Sequence, residues 1–273
     1  MTDEPRKAGV TPDAWVHLSR ATPARIALGR AGDSLPTVEV LRFALAHAQA
    51  RDAVHTRFDA GALAARLGGL GLVPVLVHSA APDRATYLAR PDLGRQLAPA
   101  SQQALAALPA SDPDLALVVA DGLSATAVHR QALPLLTAFL PWVRQAGWRL
   151  GPVAVASQAR VALGDRVGQA LGARAVAVLI GERPGLSAPD SLGVYLTLNP
   201  RPGRLDAERN CLSNIREGGL AHDLAAFKLA WLLREALRRQ MTGVALKDES
   251  DLLLVDGRAP ALPAAPMTER QET

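Results

Sequence analysis

Six consecutive apolar residues near the middle of the chain decide the fold: Leu115-Ala116-Leu117-Val118-Val119-Ala120. A short apolar run of this kind is typical of a strand that is buried on both faces of a parallel sheet. One similar run precedes it at 73–77, and three follow at 153–156, 175–180 and 192–198. The sequence therefore predicts five strands in one sheet.

Helical segments separate these runs. Helices are predicted at 101–108, 131–146 and 165–171, and a longer helix at 223–240 ends the folded part. Strands that alternate with helices form parallel sheets through right-handed crossovers, which place helices on both faces of the sheet. We therefore predict an α/β fold with a Rossmann-like doubly wound parallel sheet.

The first 70 residues follow a different pattern. Pro36 suits the first turn of a helix, in which Val38, Leu41 and Leu45 share one face. A second short helix is predicted behind Asp59, whose side chain can cap it. This pattern predicts a small helical N-terminal unit that precedes the sheet.

Domain boundaries follow from these changes of pattern. The helical N-terminal unit is predicted over residues 1–70 and the sheet domain over 71–247. Residues 248–273 contain several prolines among alanines, a composition typical of a disordered tail.

Composition excludes several classes of protein. The 273 residues are 49% hydrophobic and 21% charged, with a net charge of +4, as expected of a globular chain. Aromatic residues make up only 4%, and the basic residues form no block, which argues against a nucleic-acid partner. The longest apolar runs are far shorter than the roughly 18 residues of a membrane span, so no membrane partner is expected.

Catalytic and metal-binding signatures are absent from the sequence. The chain contains no phosphate-binding loop, dinucleotide-binding glycine motif, zinc-protease motif or hydrolase serine motif. Its single cysteine, Cys211, excludes an internal disulfide and any multi-cysteine metal site, and it points to a reducing cytoplasm. We therefore predict neither a catalytic residue nor a metal ligand in this chain.

Three polar turns follow predicted strands, at 121–124, 181–185 and 199–203. Ligands of α/β sheets bind outside the carboxyl ends of the strands, so these turns are candidates for a binding site. The alternative is structural: Asp121 and Asn199 would cap turns, and Glu182 would pair with an arginine. Both interpretations stay open from the residues alone.

Arginines of the N-terminal half are dispersed among apolar residues at positions 25, 30, 42, 51, 90 and 95. They could pair with carboxylates or phosphates across an interface, or they could form a solvated face.

Several sequence motifs together resemble the light chain of ethanolamine ammonia-lyase. They include the runs 22–32, 41–43, 47–54 and 87–95, and the shorter motifs Asp-Gly-Leu-Ser at 121, Gly-Glu-Arg-Pro-Gly-Leu at 181, Asp-Ser-Leu at 190 and Cys-Leu-Ser-Asn-Ile at 211. They occur in the order found in that family, and they extend over nearly the whole chain from Pro12 to Lys247.

This resemblance implies the small subunit of an adenosylcobalamin-dependent lyase that converts ethanolamine to acetaldehyde and ammonia by a radical mechanism. The large subunit, a TIM barrel, would hold the substrate, and the small subunit would cover the lower face of the cofactor. The N-terminal unit would contact the large subunit. The chain alone would then be inactive, since it supplies cofactor binding and no acid or base.

The resemblance also implies three cofactor-binding residues. The family's cofactor-contacting positions fall on Glu182 and Cys211, which lie inside matched motifs, and on Val161, which is assigned only by its spacing from Glu182. No Asp-x-His-x-x-Gly motif is present, so the cofactor is expected to be base-on, with its own lower base as the axial ligand.

Two questions stay open at this level. A stand-alone Rossmann-like nucleotide-binding or regulatory module is the alternative function, and it would work without a partner chain. The resemblance implies a cytoplasmic complex that some members of the family package into a bacterial microcompartment. Those members carry a longer amino-terminal extension than the residues that precede Pro12 here, so packaging is open.

Overall fold

The computed structural model describes residues 9–254 and 259. Six strands form a single sheet in the order β1-β3-β2-β4-β5-β6. Their bounds are β1 Pro74–His78, β2 Leu115–Ala120, β3 Leu150–Ser157, β4 Ala175–Gly181, β5 Leu192–Leu198 and β6 Asn210–Ile215. All five predicted strands are therefore present, together with a sixth.

The sheet is mixed, and the prediction of a doubly wound parallel sheet is wrong in this respect. Strands β1, β3, β2 and β4 are parallel, whereas β5 runs antiparallel to β4, and β6 runs antiparallel to β5. The connection 182–191 between β4 and β5 is shorter than the dozen or more residues that a parallel crossover needs. The chain therefore turns back at Gly181 as a hairpin.

Strand β6 was missed because its sequence does not alternate regularly. Only Leu212 and Ile215 are buried, and polar residues separate them. The pairing with β5 shifts register between Leu192 and Val194, which explains the irregular spacing.

Seven α-helices surround the sheet in the described part of the chain: α1 Thr37–His55, α2 Ala60–Gly68, α3 Arg84–Ala89, α4 Pro99–Ala106, α5 Ala125–Ala146, α6 Leu163–Ala170 and α7 His222–Arg239. Helices α2, α5 and α7 share one hydrophobic core with one face of the sheet. Helices α4 and α6 share a second core with the other face. The predicted coverage of both faces is confirmed.

Helix α1 does not bury the apolar face that its sequence predicts. Its buried residues are Ala46 and Ala53, whereas Leu41 and Leu45 are 63% and 60% exposed. Helix α2, by contrast, places Leu63 in the main core. The two helices of the predicted N-terminal unit therefore differ in their packing, and the boundary at residue 70 stays a prediction.

Three of the dispersed arginines, at positions 42, 51 and 90, pair with a carboxylate nearby in the sequence, whereas Arg25 donates to the distant Leu186 carbonyl at 3.2 Å. Arg42 binds Glu39 at 2.6 Å within α1, and Arg90 binds Asp92 through two hydrogen bonds of 2.8 and 2.9 Å. The arginine side chains of these local pairs are exposed, which favours the solvated-face interpretation for Arg42 and Arg90.

The segment after α7 packs onto that helix as far as residue 254. The Lys228 ammonium group binds the carboxylates of Asp248 and Asp251 at 3.2 and 2.7 Å and the hydroxyl of buried Ser250 at 3.1 Å. The rest of the predicted tail, apart from residue 259, lies outside the described residues. None of the described helices is long and apolar enough to cross a membrane.

Candidate functional site

Two of the three predicted polar turns lie side by side at the carboxyl ends of parallel strands. Residues 121–124 follow β2 and residues 181–185 follow β4, which is its parallel neighbour. The third turn, 199–203, is not at this edge. Because β5 is antiparallel, its last residue, Leu198, pairs with Ala175 at the start of β4. Of the two interpretations left open for Asn199, this placement disfavours a role in a binding site shared with the other two turns.

Asp121 holds the loop that follows β3. Its side chain is 1% exposed, and its carboxylate accepts backbone hydrogen bonds from Gln158 and Ala159 at 2.9 and 3.0 Å. Burial raises the pKa of the Asp121 carboxyl, and these amides and the Arg84 guanidinium at 3.6 Å oppose that rise. Asp121 thus stabilises the loop after β3 through hydrogen bonds, which agrees with the structural alternative given for this residue.

The turns after β2 and β4 are packed directly against each other. The Leu123 amide donates to the Gly181 carbonyl at 2.9 Å. Gly122 has φ +56°, and a Cβ atom at this position would overlap the same carbonyl oxygen. Ser124 caps α5 by accepting from the Ala127 amide at 3.1 Å, so helix and strand ends are fixed together.

Glu182 follows β4 and points across the neighbouring strands. Its carboxylate accepts a hydrogen bond from the Ser191 hydroxyl and one from the Asn214 amide at 3.2 Å. Gly193 leaves the space that this side chain fills, because a Cβ atom there would lie 2.9 Å from Oε1 of Glu182. The predicted arginine partner of Glu182 is replaced by these neutral donors.

Tyr195 and Cys211 are direct cross-strand partners on β5 and β6. The Cys211 side chain therefore lies beside that of Tyr195, and the cysteine as a whole is exposed. Partial burial raises the pKa values of both groups, and the nearby Glu182 carboxylate raises them further. Both groups are therefore neutral near pH 7, and the thiol is a poor nucleophile.

Val161 lies in the loop between β3 and α6. The Arg160 amide next to it donates to the Gly94 carbonyl at 2.8 Å, and the Tyr87 hydroxyl donates to the Ala159 carbonyl at 3.1 Å. Val161 packs against the core beneath α4 and α6. The loop is therefore fixed by the motif at 87–95.

The three predicted cofactor-binding residues share one side of the sheet. Val161 and Tyr195 pack against the same core, and Cys211 pairs with Tyr195. Glu182 continues the alternation of Val178 and Ile180, which face that core. We call Glu182, Tyr195 and Cys211, with Gly193 between them, the β4–β6 strip.

Helix α6 leaves this strip uncovered. It packs on β2 and β4, where Gly164 lies tightly against Val178. A cleft of about 300 Å³ separates its first turn from the loop that joins β5 to β6, and it is lined by residues that include Ala162 and Asp206. The cleft does not include Val161 or the residues of the strip among its lining residues.

A buried ion pair fixes β6 beside α6. The Arg209 guanidinium binds both carboxylate oxygens of Asp165 at 2.7 Å and the Thr197 hydroxyl at 2.9 Å. The bidentate geometry sets the distance between α6 and the edge of the sheet.

Sequence reasoning missed Tyr195, Ser191 and Asn214 as members of this arrangement. Tyr195 could have been noticed as the only aromatic residue in a predicted apolar strand. Ser191 and Asn214 lie inside quoted motifs, but their roles depend on the hairpin that brings β6 beside Glu182.

The described residues hold no group of three or more His, Cys, Asp or Glu side chains that could bind a metal ion. His78 ends β1, at the opposite edge of the sheet from β6.

Comparison with known proteins identifies the family. A family model described as ethanolamine ammonia-lyase light chain (EutC) matches residues 12–247. The chain is 56% identical over 261 residues to the ethanolamine ammonia-lyase small subunit of Ralstonia nicotianae, covering 94% of this chain and 97% of that protein. It is 61% identical over 230 residues to the small subunit of Bradyrhizobium diazoefficiens, covering 84% and 88%. The chain therefore belongs to the ethanolamine ammonia-lyase light-chain family, and as a small subunit it has a large-subunit partner.

Proposed function

We propose that this chain binds adenosylcobalamin at the β4–β6 strip as the small subunit of a lyase that converts ethanolamine to acetaldehyde and ammonia. The observation that carries the proposal is the strip itself, a row of polar groups on a sheet face that α6 leaves open. When bound, the cofactor supplies radical chemistry through homolysis of its cobalt–carbon bond. This chain binds and orients the cofactor and excludes water from its lower face.

The donor set of the strip fits this cofactor in its base-on form. Glu182 offers a carboxylate that can accept from amide groups, and Tyr195 and Cys211 add neutral polar atoms. Gly193 adds no side chain, and the Glu182 carboxylate occupies the space above it, so Glu182 is held on the strip. The residues of the strip include no histidine that could replace the lower base, and His78 is at the far edge of the sheet.

The large-subunit partner, proposed to be a TIM barrel, would cover helix α1. Large apolar side chains of α1 and the segment before it are exposed: Trp15, Val16, Leu35, Val40, Leu41, Phe43 and Leu45. A monomer rarely leaves so many such residues in water. This exposure disfavours the alternative of a stand-alone nucleotide-binding module, which needs no partner.

The proposed complex has no nucleic-acid or membrane partner. Its single cysteine suits a reducing cytoplasm. Packaging of the complex into a bacterial microcompartment stays open.

Substitution of Glu182 tests the proposal in the complex with the large subunit. Loss of a charged hydrogen-bond acceptor costs about 1.5 to 3 kcal/mol, so Glu182→Gln is expected to weaken cofactor binding roughly ten- to a hundredfold. Turnover at saturating cofactor is expected to stay near the original value, because the contact is equal in ground and transition states. Glu249→Gln, at an exposed position in the segment after α7, is the matched control.

Alkylation of Cys211 gives a second measure of cofactor binding, one that does not depend on turnover. It is the only cysteine of the chain, so after iodoacetamide treatment of the complex the mass of this chain alone reports on Cys211. Bound cobalamin is expected to slow the reaction, and the Glu182→Gln complex is expected to need more cobalamin for the same protection. Turnover by this chain alone, or lower turnover with unchanged cofactor affinity in Glu182→Gln, would contradict the proposal.

A further inference from the structure

The two tyrosines of the chain have contrasting environments. Tyr87 is completely buried, and its hydroxyl is used in the bond to the Ala159 carbonyl. Tyr195 is half-buried on β5, with its ring on the side of the sheet that faces α6. Tyr87 therefore has a structural role, whereas Tyr195 has a surface that can meet a ligand.

The neighbours of Tyr195 leave its ring accessible. Gly193 precedes it on the same face of β5, where the Glu182 side chain occupies the space that the glycine leaves. The small, exposed residue Cys211 lies opposite it on β6. On the other side, α6 packs closely on Val178, which is the cross-strand partner of Tyr195 on β4. The half-buried phenol is thus bounded by Glu182 and one helix, and its exposed neighbour is Cys211.

The Tyr195 hydroxyl can donate a hydrogen bond. It stays protonated near neutral pH, because burial raises its pKa. A tyrosine hydroxyl can accept one hydrogen bond and donate another, so it has capacity for a ligand beside its cross-strand neighbour Cys211. The aromatic ring below adds an apolar plane that suits the flat underside of a large ligand.

We propose that Tyr195 is a further cofactor-contacting residue, whose hydroxyl donates to an amide carbonyl of the bound cobalamin between the contacts made by Glu182 and Cys211. This inference rests on the proposed function and adds a residue that neither motif nor spacing assigned. It makes the β4–β6 strip a continuous binding surface, because Tyr195 joins Gly193 and Glu182 to the edge strand.

The test measures binding of cyanocobalamin, an unreactive form, to the complex with the large subunit. Tyr195→Phe keeps the ring and removes the hydroxyl, and it is expected to weaken binding about two- to tenfold, as for one neutral hydrogen bond. Tyr195→Leu also removes the aromatic plane and is expected to weaken binding further. The urea midpoint of each variant complex is measured in parallel, because a purely structural role would lower this midpoint.

The outcomes separate this inference from the proposed function. Weaker binding by Tyr195→Phe at an unchanged urea midpoint supports a direct contact. Unchanged binding by Tyr195→Phe, together with weaker binding by Glu182→Gln, overturns the role of Tyr195 and leaves the proposed function in place. Unchanged binding by both variants overturns both. Weaker binding of Tyr195→Phe that only accompanies a lower midpoint shows a structural role and also overturns the inference.

Discussion

Helices α1 and α7 are similar in length and opposite in packing. Helix α7 buries eleven of its 18 residues, including Phe227 and Trp231. Helix α1 buries only Ala46 and Ala53 among 19 residues, although its sequence is also rich in leucine and valine. The comparison shows that an apolar helix sequence alone does not predict burial within the chain. Whether the apolar side chains are buried there depends on the elements that pack around the helix.

The largest expected effect is on stability, which substitutions in α7 and α1 should change to very different extents. Phe227→Ala removes a completely buried ring from the main core and is expected to lower the free energy of unfolding by about 3 to 5 kcal/mol. Leu41→Ala in α1 removes a side chain that is mostly exposed, and it is expected to change stability by less than about 0.5 kcal/mol. Urea unfolding of the full chain measures both. A loss of several kcal/mol in Leu41→Ala would show that α1 is packed after all.

The next effect concerns assembly instead of stability. The double substitution Leu41→Ser and Leu45→Ser is expected to weaken association with the large subunit by about 2 kcal/mol or more, roughly thirtyfold, if these side chains are central to the interface. Leu252→Ser, at an 82% exposed position after α7, is the matched control. Association is measured by titration of labelled small subunit with large subunit. Equal affinity of the double variant and the control would place the interface elsewhere.

Much of the fold was predictable from local patterns. The runs at 115–120 and 175–180 are apolar throughout because helices cover both faces of β2 and β4. The direction of β5 was not predictable from its own residues, since a buried strand reads the same in either direction. The length of the connection 182–191 does indicate that β5 is antiparallel to β4, because this connection is too short for a parallel crossover.

The candidate site was only partly accessible from sequence. Glu182 was identified at the end of a strand, but its partners Ser191 and Asn214 come from a hairpin that the parallel-sheet prediction did not contain. Cys211 was identified by a motif, while its pairing with Tyr195 depends on the register of an edge strand with little hydrophobic alternation. Such long-range pairings are set by tertiary packing, which a local pattern does not encode.

The smallest expected effect is on the pH dependence of stability, and it is tested with one glutamate from each helix. In α7, Glu235 is nearly buried and binds Arg239 at 2.7 Å and the neighbouring Arg238, whereas in α1 the Glu39–Arg42 pair is solvent-exposed on its arginine side. Burial by itself would raise the pKa of Glu235, but the hydrogen bonds and charges of the two arginines outweigh burial and lower this pKa below its ordinary value.

The lowered pKa fixes the sign of the pH dependence. The folded chain binds the Glu235 proton less tightly than the unfolded chain, so the ion pairs stabilise the fold above the ordinary glutamate pKa of about 4.3. That stabilisation is lost as the pH falls through the lower, folded pKa. Glu235→Gln is therefore expected to cost about 1 kcal/mol at pH 7 and progressively less toward pH 3, because the original chain loses the same interaction there. Urea unfolding of the full chain at both pH values measures this, with Glu39→Gln as the matched control, which is expected to differ from the original chain by less than about 0.5 kcal/mol at pH 7. A cost of Glu235→Gln that stays constant between pH 7 and pH 3 would show that the arginines do not stabilise the charged form, and that Glu235 contributes by packing alone.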